Sequence, residues 1–353
     1  VVEDLLREWS GERVVRRFDE PTGAWFFIAV HSTILGPAMG GTRLKSYGSE
    51  EDALRDVLRL SQAMTMKQAA ADLPYGGGKA VLAVPAVPPP ASEGRRDLLL
   101  RYADVIESLH GTYVTAADMN TGQADMDVIS ERTAHVLGRS PANGGAGDPA
   151  IGTAIGVFHG IRAACERAFG SEDLSGRSVL IQGCGAVGER LAGHLHDAGA
   201  ALLLADLDGA RAREIAARTG GTVVEPGDVL TTECDVFSPC ATGAQLTAET
   251  IPGLRCSVVA GAANNQLGTA EDARLLSERG IVYAPDYVVN AGGVIWLAGY
   301  ETLGWDEETM EDHLAGIGRT LAGVFAAAEE NGLTTAEAAD GLATARIAAG
   351  RAP

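Results

Sequence analysis

Residues 178–206 read SVLIQGCGAVGERLAGHLHDAGAALLLAD, a passage that few folds can accommodate. An apolar run leads into Gly183-x-Gly185-x-x-Gly188, helical spacing follows, and a second apolar run ends on Asp206. Strand, tight turn, helix and strand in that order make a right-handed crossover between parallel strands. The first glycine permits the turn, the second lets backbone approach a diphosphate, and the third packs helix on strand. Free amides at the helix start, including those of Ala186 and Val187, favour the anion. An acid at position 206 would accept hydrogen bonds from a ribose 2′-hydroxyl and repel a 2′-phosphate, which favours NAD over NADP. A glycine-rich turn that binds nothing shares the spacing, and the chain has 45 glycines. The signal is therefore the joint presence of strand, helix and acid. Cys184, inside the turn, reads as a small packing residue.

The alternation continues downstream. CDVFSPCA, SVVAGAAN and IVYAPDYVVN are short apolar runs between helical stretches, as in a parallel sheet covered on both faces. Upstream, GRSPANGGAGDPAIG (138–152) has the composition of a linker. A chain of 353 residues is long for one domain, so an α/β protein of two domains is expected. In the first part, ERVVRRFD and GAWFFIAVH read as strands across the turn EPTG. Ser49 with Asp52 marks a helix start, and apolar residues recur at helical spacing from Ala53 to Ala71. KAVLAVP reads as a strand, 95–110 as a helix, GTYVTAADMNT as a strand entering a loop, and QADMDVISERTAHVL as a helix. The tail from about Glu307 is helical.

Charge and cysteine content exclude several classes of partner. A net charge of −19 repels nucleic-acid backbones and anionic lipid. Five cysteines without a C-x-x-C pair argue against a disulfide framework or a zinc site, and fit a reducing cytoplasm. No metal site is expected, and no run reaches the ~18 apolar residues of a membrane span.

The stretch LPYGGGKAVL (73–82) places three glycines before Lys79. A P-loop would need an earlier glycine and a following Ser or Thr, and here Ala80 follows. The remaining readings are a solvated surface lysine, or a lysine brought into a crowded pocket by a tight turn. Lys67, 12 residues earlier on the expected helix, could face that pocket. Like charge and burial would then leave one amine neutral, a general base, beside a charged carboxylate anchor. Asp118 reads equally as an Asx-turn or helix-cap residue ahead of MNTGQADM.

Six stretches together resemble the glutamate, leucine, phenylalanine and valine dehydrogenases: GPAMGGTRL (36–44), MTMKQAAADLPYGGGKAVL (64–82), TAADMNT (115–121), QGCGAVG (182–188), GAANNQL (261–267) and NAGGV (290–294). The resemblance implies an N-terminal α/β substrate and oligomerisation domain (1–140) and a doubly wound, Rossmann-type NAD domain (141–325), with a cleft between them. Helices over 326–353 would pack back on the substrate domain, and several identical subunits would assemble. It implies that Lys67 and the backbone at Gly40 and Gly41 hold a substrate α-carboxylate, with Asn264 assisting. Lys79 would activate water against an imino carbon, and Asp118 would shuttle a proton to and from nitrogen. Thr153, Ala241 and Asn290 would contact the dinucleotide.

Members that use glutamate carry a lysine and a serine where this chain has Met39 and Leu297. A carboxylate left unpaired against those side chains would cost several kcal/mol, so glutamate is excluded. Trp296 beside Leu297, a deformable Met39 and the wording TAADMNT look most like the phenylalanine-using members. The expectation is reversible oxidative deamination of L-phenylalanine to phenylpyruvate, ammonia and NADH. The alternatives are leucine or another branched-chain substrate, and a catalytically silent NAD-binding protein.

Overall fold

The computed structural model describes residues 2–241 and 243–350. The chain divides into two compact units. Among the described residues, the first comprises 2–148, 297–304 and 343–350, and the second comprises 149–296 and 305–342, Thr242 apart.

In the first unit, α1 (Val2–Trp9), β1 (Arg13–Asp19), β2 (Ala24–Ser32) and β3 (Ala38–Lys45) precede the long α2 (Glu50–Ala70). Then come β4 (Gly76–Ala83), α3 (Glu93–Glu107), β5 (Tyr113–Ala117) and α4 (Gln123–Ser130). The sheet order is β1-β2-β4-β3-β5; β1 and β4 run antiparallel to β2, while β3 lies parallel between β4 and β5. Alternation along the strands creates two cores. Phe26, Ile28 and Leu82 pack with Leu98, Tyr102 and Ile106 of α3, whereas Phe27, Ala29 and Val81 pack with Val57 and Leu58 of α2. The Ser49 hydroxyl accepts from Asp52 N at 3.1 Å and starts α2 where the sequence placed it.

The second unit opens with α5 (Ala150–Phe169), followed by β6 (Ser178–Gln182), α6 (Ala186–Asp197), β7 (Ala201–Ala205), α7 (Gly209–Thr219) and β8 (Thr222–Val223). After β9 (Val236–Pro239) and β10 (Val258–Val259) come α8 (Glu271–Glu278), β11 (Val282–Tyr283), α9 (Asp286–Val289), α10 (Gly292–Ala298), α11 (Glu307–Asn331) and α12 (Thr335–Gly350). Its strands are all parallel in the order β11-β10-β9-β6-β7-β8, the doubly wound arrangement. The order reverses between β6 and β9, where Gln182 pairs with Pro239. Ligands of such sheets bind at that reversal, beyond the carboxyl ends of the strands.

Several expectations shift. The units divide at 148/149 rather than at 140. The C-terminal segment is split, since residues 305–342 belong to the second unit and only the stretch from Ala343 belongs to the first. The termini of the expected segments, residues 1 and 351–353, lie outside the described residues. The helix expected over QADMDVISERTAHVL stops at Ser130, and Val136 instead bridges Thr115 at the edge of the first sheet. GPAMGGTRL, whose glycines mask any strand pattern, holds most of β3, and β4 begins at Gly76, three residues before the expected strand.

Candidate active site

The glycines ahead of Lys79 do not turn the chain. They are fully buried strand residues, and their value is thinness. A Cβ at Gly77 would lie 2.1 Å from Thr65 N, so α2 rests directly on the backbone of β4. A Cβ at Gly40 would lie 1.8 Å from Gly78 O, which makes the same demand on β3. Gly41 sits against the start of the next loop, and its Cβ would come within 2.9 Å of Asp118 Cβ.

The alternation that sends Phe27 and Val81 toward α2 also sends Lys79 there. Its side chain is buried, with Nζ 3.3 Å from Asp118 Oδ2. The same oxygen accepts Arg43 Nε at 2.9 Å. Arg43 Nη1 reaches Asp56 Oδ2 at 2.9 Å, and Asp56 also accepts from Tyr47 Oη (2.7 Å) and Arg59 Nη2 (3.0 Å). Asp118 is therefore an ion-pair carboxylate rather than the cap of α4. The capping carboxylate of α4 is Asp125, whose Oδ2 accepts from Gly122 N at 2.9 Å. Thr121 holds the Asp118 loop instead: its hydroxyl donates to Thr42 O (2.8 Å) and accepts from Asp118 N (2.9 Å).

Burial pulls the Lys79 ammonium below the ordinary lysine range; Asp118 opposes this and Arg43 adds to it. Burial works against ionised Asp118, but Lys79 and then Arg43 hold its carboxyl below the usual range. Arg43 is thus a cation acting on Lys79, in addition to the Lys67 expected from the sequence. Lys67 stands half-buried in the last turn of α2, where a cation complements the helix dipole. No motif in the linear sequence marks Arg43, because its place depends on β3. Once GPAMGGTRL is a strand, Met39, Gly41 and Arg43 share one face by period two. Met39 is buried on that face, and Gln68 Nε2 donates to its Sδ at 3.3 Å. Leu297, in the same unit, is buried beside Gly138.

In the second unit, Gly183 has φ +101°, and a Cβ at Gly188 would lie 1.9 Å from Gly183 O. Turn and helix are locked together, as the spacing requires. At Gly185 the direction a Cβ would take is open, and Ala186 beyond it is exposed. Ala241 closes over the turn, its Cβ 2.7 Å from where a Gly183 Cβ would be. Asp206 Oδ2 accepts from Cys184 N at 2.6 Å, and Oδ1 accepts from Asp208 N at 2.8 Å, which fixes the carboxylate beside the turn. Cys184 itself is buried, with its thiol pushed up to about 11 by burial.

Asn290 Nδ2 donates to Asn264 Oδ1 (2.9 Å) and Ala262 O (3.1 Å), while Asn290 Oδ1 is buried without a partner. Thr153 lies in the first turn of α5, its hydroxyl donating to Pro149 O. The open face at Gly185, the start of α6 with no side-chain cap and the fixed acid at 206 fit a dinucleotide. The orphaned Asn290 acceptor suits an amide donor such as a carboxamide. Among the described residues, no group of three or more His, Cys, Asp or Glu side chains could hold a metal ion, and no helix is long and apolar enough to cross a membrane.

Residues 22–135 match the family described as Glu/Leu/Phe/Val dehydrogenase, dimerisation domain, and residues 203–352 match Glutamate/Leucine/Phenylalanine/Valine dehydrogenase. The chain belongs to this dehydrogenase family. Its relatives include the leucine dehydrogenase of Thermoactinomyces intermedius, 42% identical over 98% of this chain and 93% of that enzyme. The valine dehydrogenase of Streptomyces virginiae is 43% identical over 96% of this dehydrogenase and 94% of its own length. The crystal structure of L-tryptophan dehydrogenase from Nostoc punctiforme superposes with a TM-score of 0.85 at 40% identity, covering 99% of both chains. These names are leucine, valine and tryptophan, where the sequence pointed to phenylalanine.

Proposed function

We propose that this dehydrogenase carries out the reversible NAD-dependent oxidative deamination of an apolar L-amino acid, with leucine and its branched-chain analogues as the preferred class. The observation that carries the reading is Lys79: a buried amine below its ordinary range, 3.3 Å from an ionised carboxylate. Binding a nucleotide needs no such pair; adding water to an iminium carbon needs a base of this kind.

Lys67 and the backbone at Gly40 and Gly41 hold the α-carboxylate. Lys79, as the free amine, takes a proton from the attacking water, and Asp118 carries a proton to and from the departing nitrogen. Gly183, Gly185, Ala186, Val187, Gly188 and Asp206 hold NAD, with Thr153, Ala241 and Asn290 on the same nucleotide, and Asn290 also fixes the Asn264 side chain. NAD held by these residues would supply the hydride acceptor for Cα. Met39 and Leu297 form apolar walls, which supports rejection of glutamate. The family match over 22–135, described as a dimerisation domain, supports a homo-oligomer.

A second reading, an aromatic substrate such as phenylalanine, draws support from the likeness to L-tryptophan dehydrogenase and from deformable Met39. One assay decides between them: NADH formation with Leu, Val, Phe, Trp or Glu supplied singly at alkaline pH. Turnover of Leu or Val above the rest is expected. Phe or Trp in the lead overturns the substrate class, and no turnover of any of them overturns the function.

A further inference from the structure

Two cations converge on one oxygen, and only one of them can lose its proton. Asp118 Oδ2 lies 2.9 Å from Arg43 Nε and 3.3 Å from Lys79 Nζ. The guanidinium makes the shorter contact and stays charged at any physiological pH. It is also held from behind, since Asp56 takes Arg43 Nη1 at 2.9 Å while Tyr47 and Arg59 hold Asp56. Arg43 and Asp56 are both mostly buried, with side chains 16% and 15% exposed.

We propose that Arg43 is a positioning residue: by saturating Asp118 Oδ2 from a fixed mount, it keeps Lys79 from locking into an isolated ion pair and leaves that amine able to shed its proton. This rests on the function proposed above and adds a member to its site. An isolated Lys79–Asp118 pair in a buried setting would hold the ammonium charged, because the carboxylate would have no other cation to satisfy it. With Arg43 present, Asp118 is neutralised whether or not Lys79 is protonated. Arg43 also adds a like charge near Nζ. The groups acting on Lys79 include Asp118 just after β5, Arg43 on β3 and Asp56 on α2. The remaining titratable or charged groups on the elements packed against β4 include His31 on β2, Lys45 on β3, and Arg59 and Lys67 on α2.

The test compares the unmodified chain with Arg43→Gln and Arg43→Lys by two readouts. The first is the pH profile of kcat/KM with NAD and leucine. The second, independent of activity, is the pH dependence of Lys79 acetylation by acetic anhydride, followed by mass spectrometry. Arg43→Gln is expected to move both midpoints upward by about one pH unit, which is a tenfold loss of free amine at neutral pH. Arg43→Lys, which restores a cation, is expected to recover most of the shift. If Arg43→Gln does not fold, the double variant Arg43→Met, Asp56→Asn removes the cation together with one of its carboxylates, and a smaller upward shift is expected, because Asp56 itself favours the charged ammonium. An unchanged acetylation midpoint in whichever variant folds overturns the proposal. An unmodified chain that labels normally yet turns over no amino acid sinks the proposed function instead, while the labelling arm still decides Arg43.

Discussion

Arg95 grips Asp125 with two parallel hydrogen bonds, Nε to Oδ1 and Nη2 to Oδ2, each 2.7 Å long and almost wholly buried. The same guanidinium donates to Asn120 O, two residues past Asp118. The loop bearing the Asp118 carboxylate therefore hangs on an ion pair between α3 and α4. Removing one member of a buried pair strands the other without compensation, at a cost of about 3–5 kcal/mol. Arg95→Leu should lower the urea midpoint by a corresponding amount. A loss under about 1 kcal/mol would show that the pair does not support the loop.

Lys79→Ala removes the base and leaves the nucleotide site untouched. We expect kcat to fall about 10²- to 10⁴-fold, the contribution of general-base catalysis, with NAD affinity by calorimetry unchanged. In the unmodified enzyme the base works deprotonated and its ammonium is lowered by burial. Activity should therefore rise with pH and reach its plateau below the ordinary lysine value of about 10.4. A profile still rising through that value would remove Lys79 from the role.

Stability should respond to acid through Asp118 and Asp56, whose carboxyls are both held below the ordinary range despite burial. For a carboxylate lowered on folding, the stabilisation is fully present above its unfolded value of about 3.9 and lost as pH falls through the lowered folded value. The urea midpoint should accordingly drop on acidification below about pH 4. Asp56→Asn should show a shallower drop from a lower starting point, and an equally steep fall in that variant would contradict the assignment.

Thinness at Gly77 is a packing requirement with a measurable cost. Gly77→Ala drives a methyl group into the Thr65 backbone, which a flexible side chain cannot relieve. Overpacking of this kind costs about 1–3 kcal/mol or more. Thermal unfolding should shift down by several degrees, whereas Gly94→Ala, with nothing near its Cβ, should be neutral or stabilising.

Asp206→Ser tests the nucleotide side. A hydrogen bond to a charged group contributes about 1.5–3 kcal/mol, so KM for NAD should rise about ten- to a hundredfold while NADP is rejected less strongly. Preserved preference for NAD would place the discriminating group elsewhere.

Features with local causes were legible in the linear chain. Ser49 and Asp52 start α2 because a hydroxyl can reach an amide three residues on. The spacing of Gly183, Gly185 and Gly188 announces strand, turn and helix because each glycine answers a backbone demand within one crossover. The weight of Lys79 came from motif likeness, and spacing alone could not separate a buried base from a solvated lysine. What joins Arg43, Asp56, Lys79 and Asp118 has no local signature. Arg43 and Asp118 are 75 residues apart and meet only because β3 lies between β4 and β5. The run Gly76–Gly78 shows the same limit. Consecutive glycines suggest a turn because the residue permits one, yet here Thr65 and the neighbouring strands require the absence of side chains. The amino-acid order determined which segments could be strands, helices and nucleotide turns, since those choices rest on short-range sterics and hydrogen bonding. Which charges share an oxygen was decided by strand order and close packing, because electrostatic partners are chosen by distance in space.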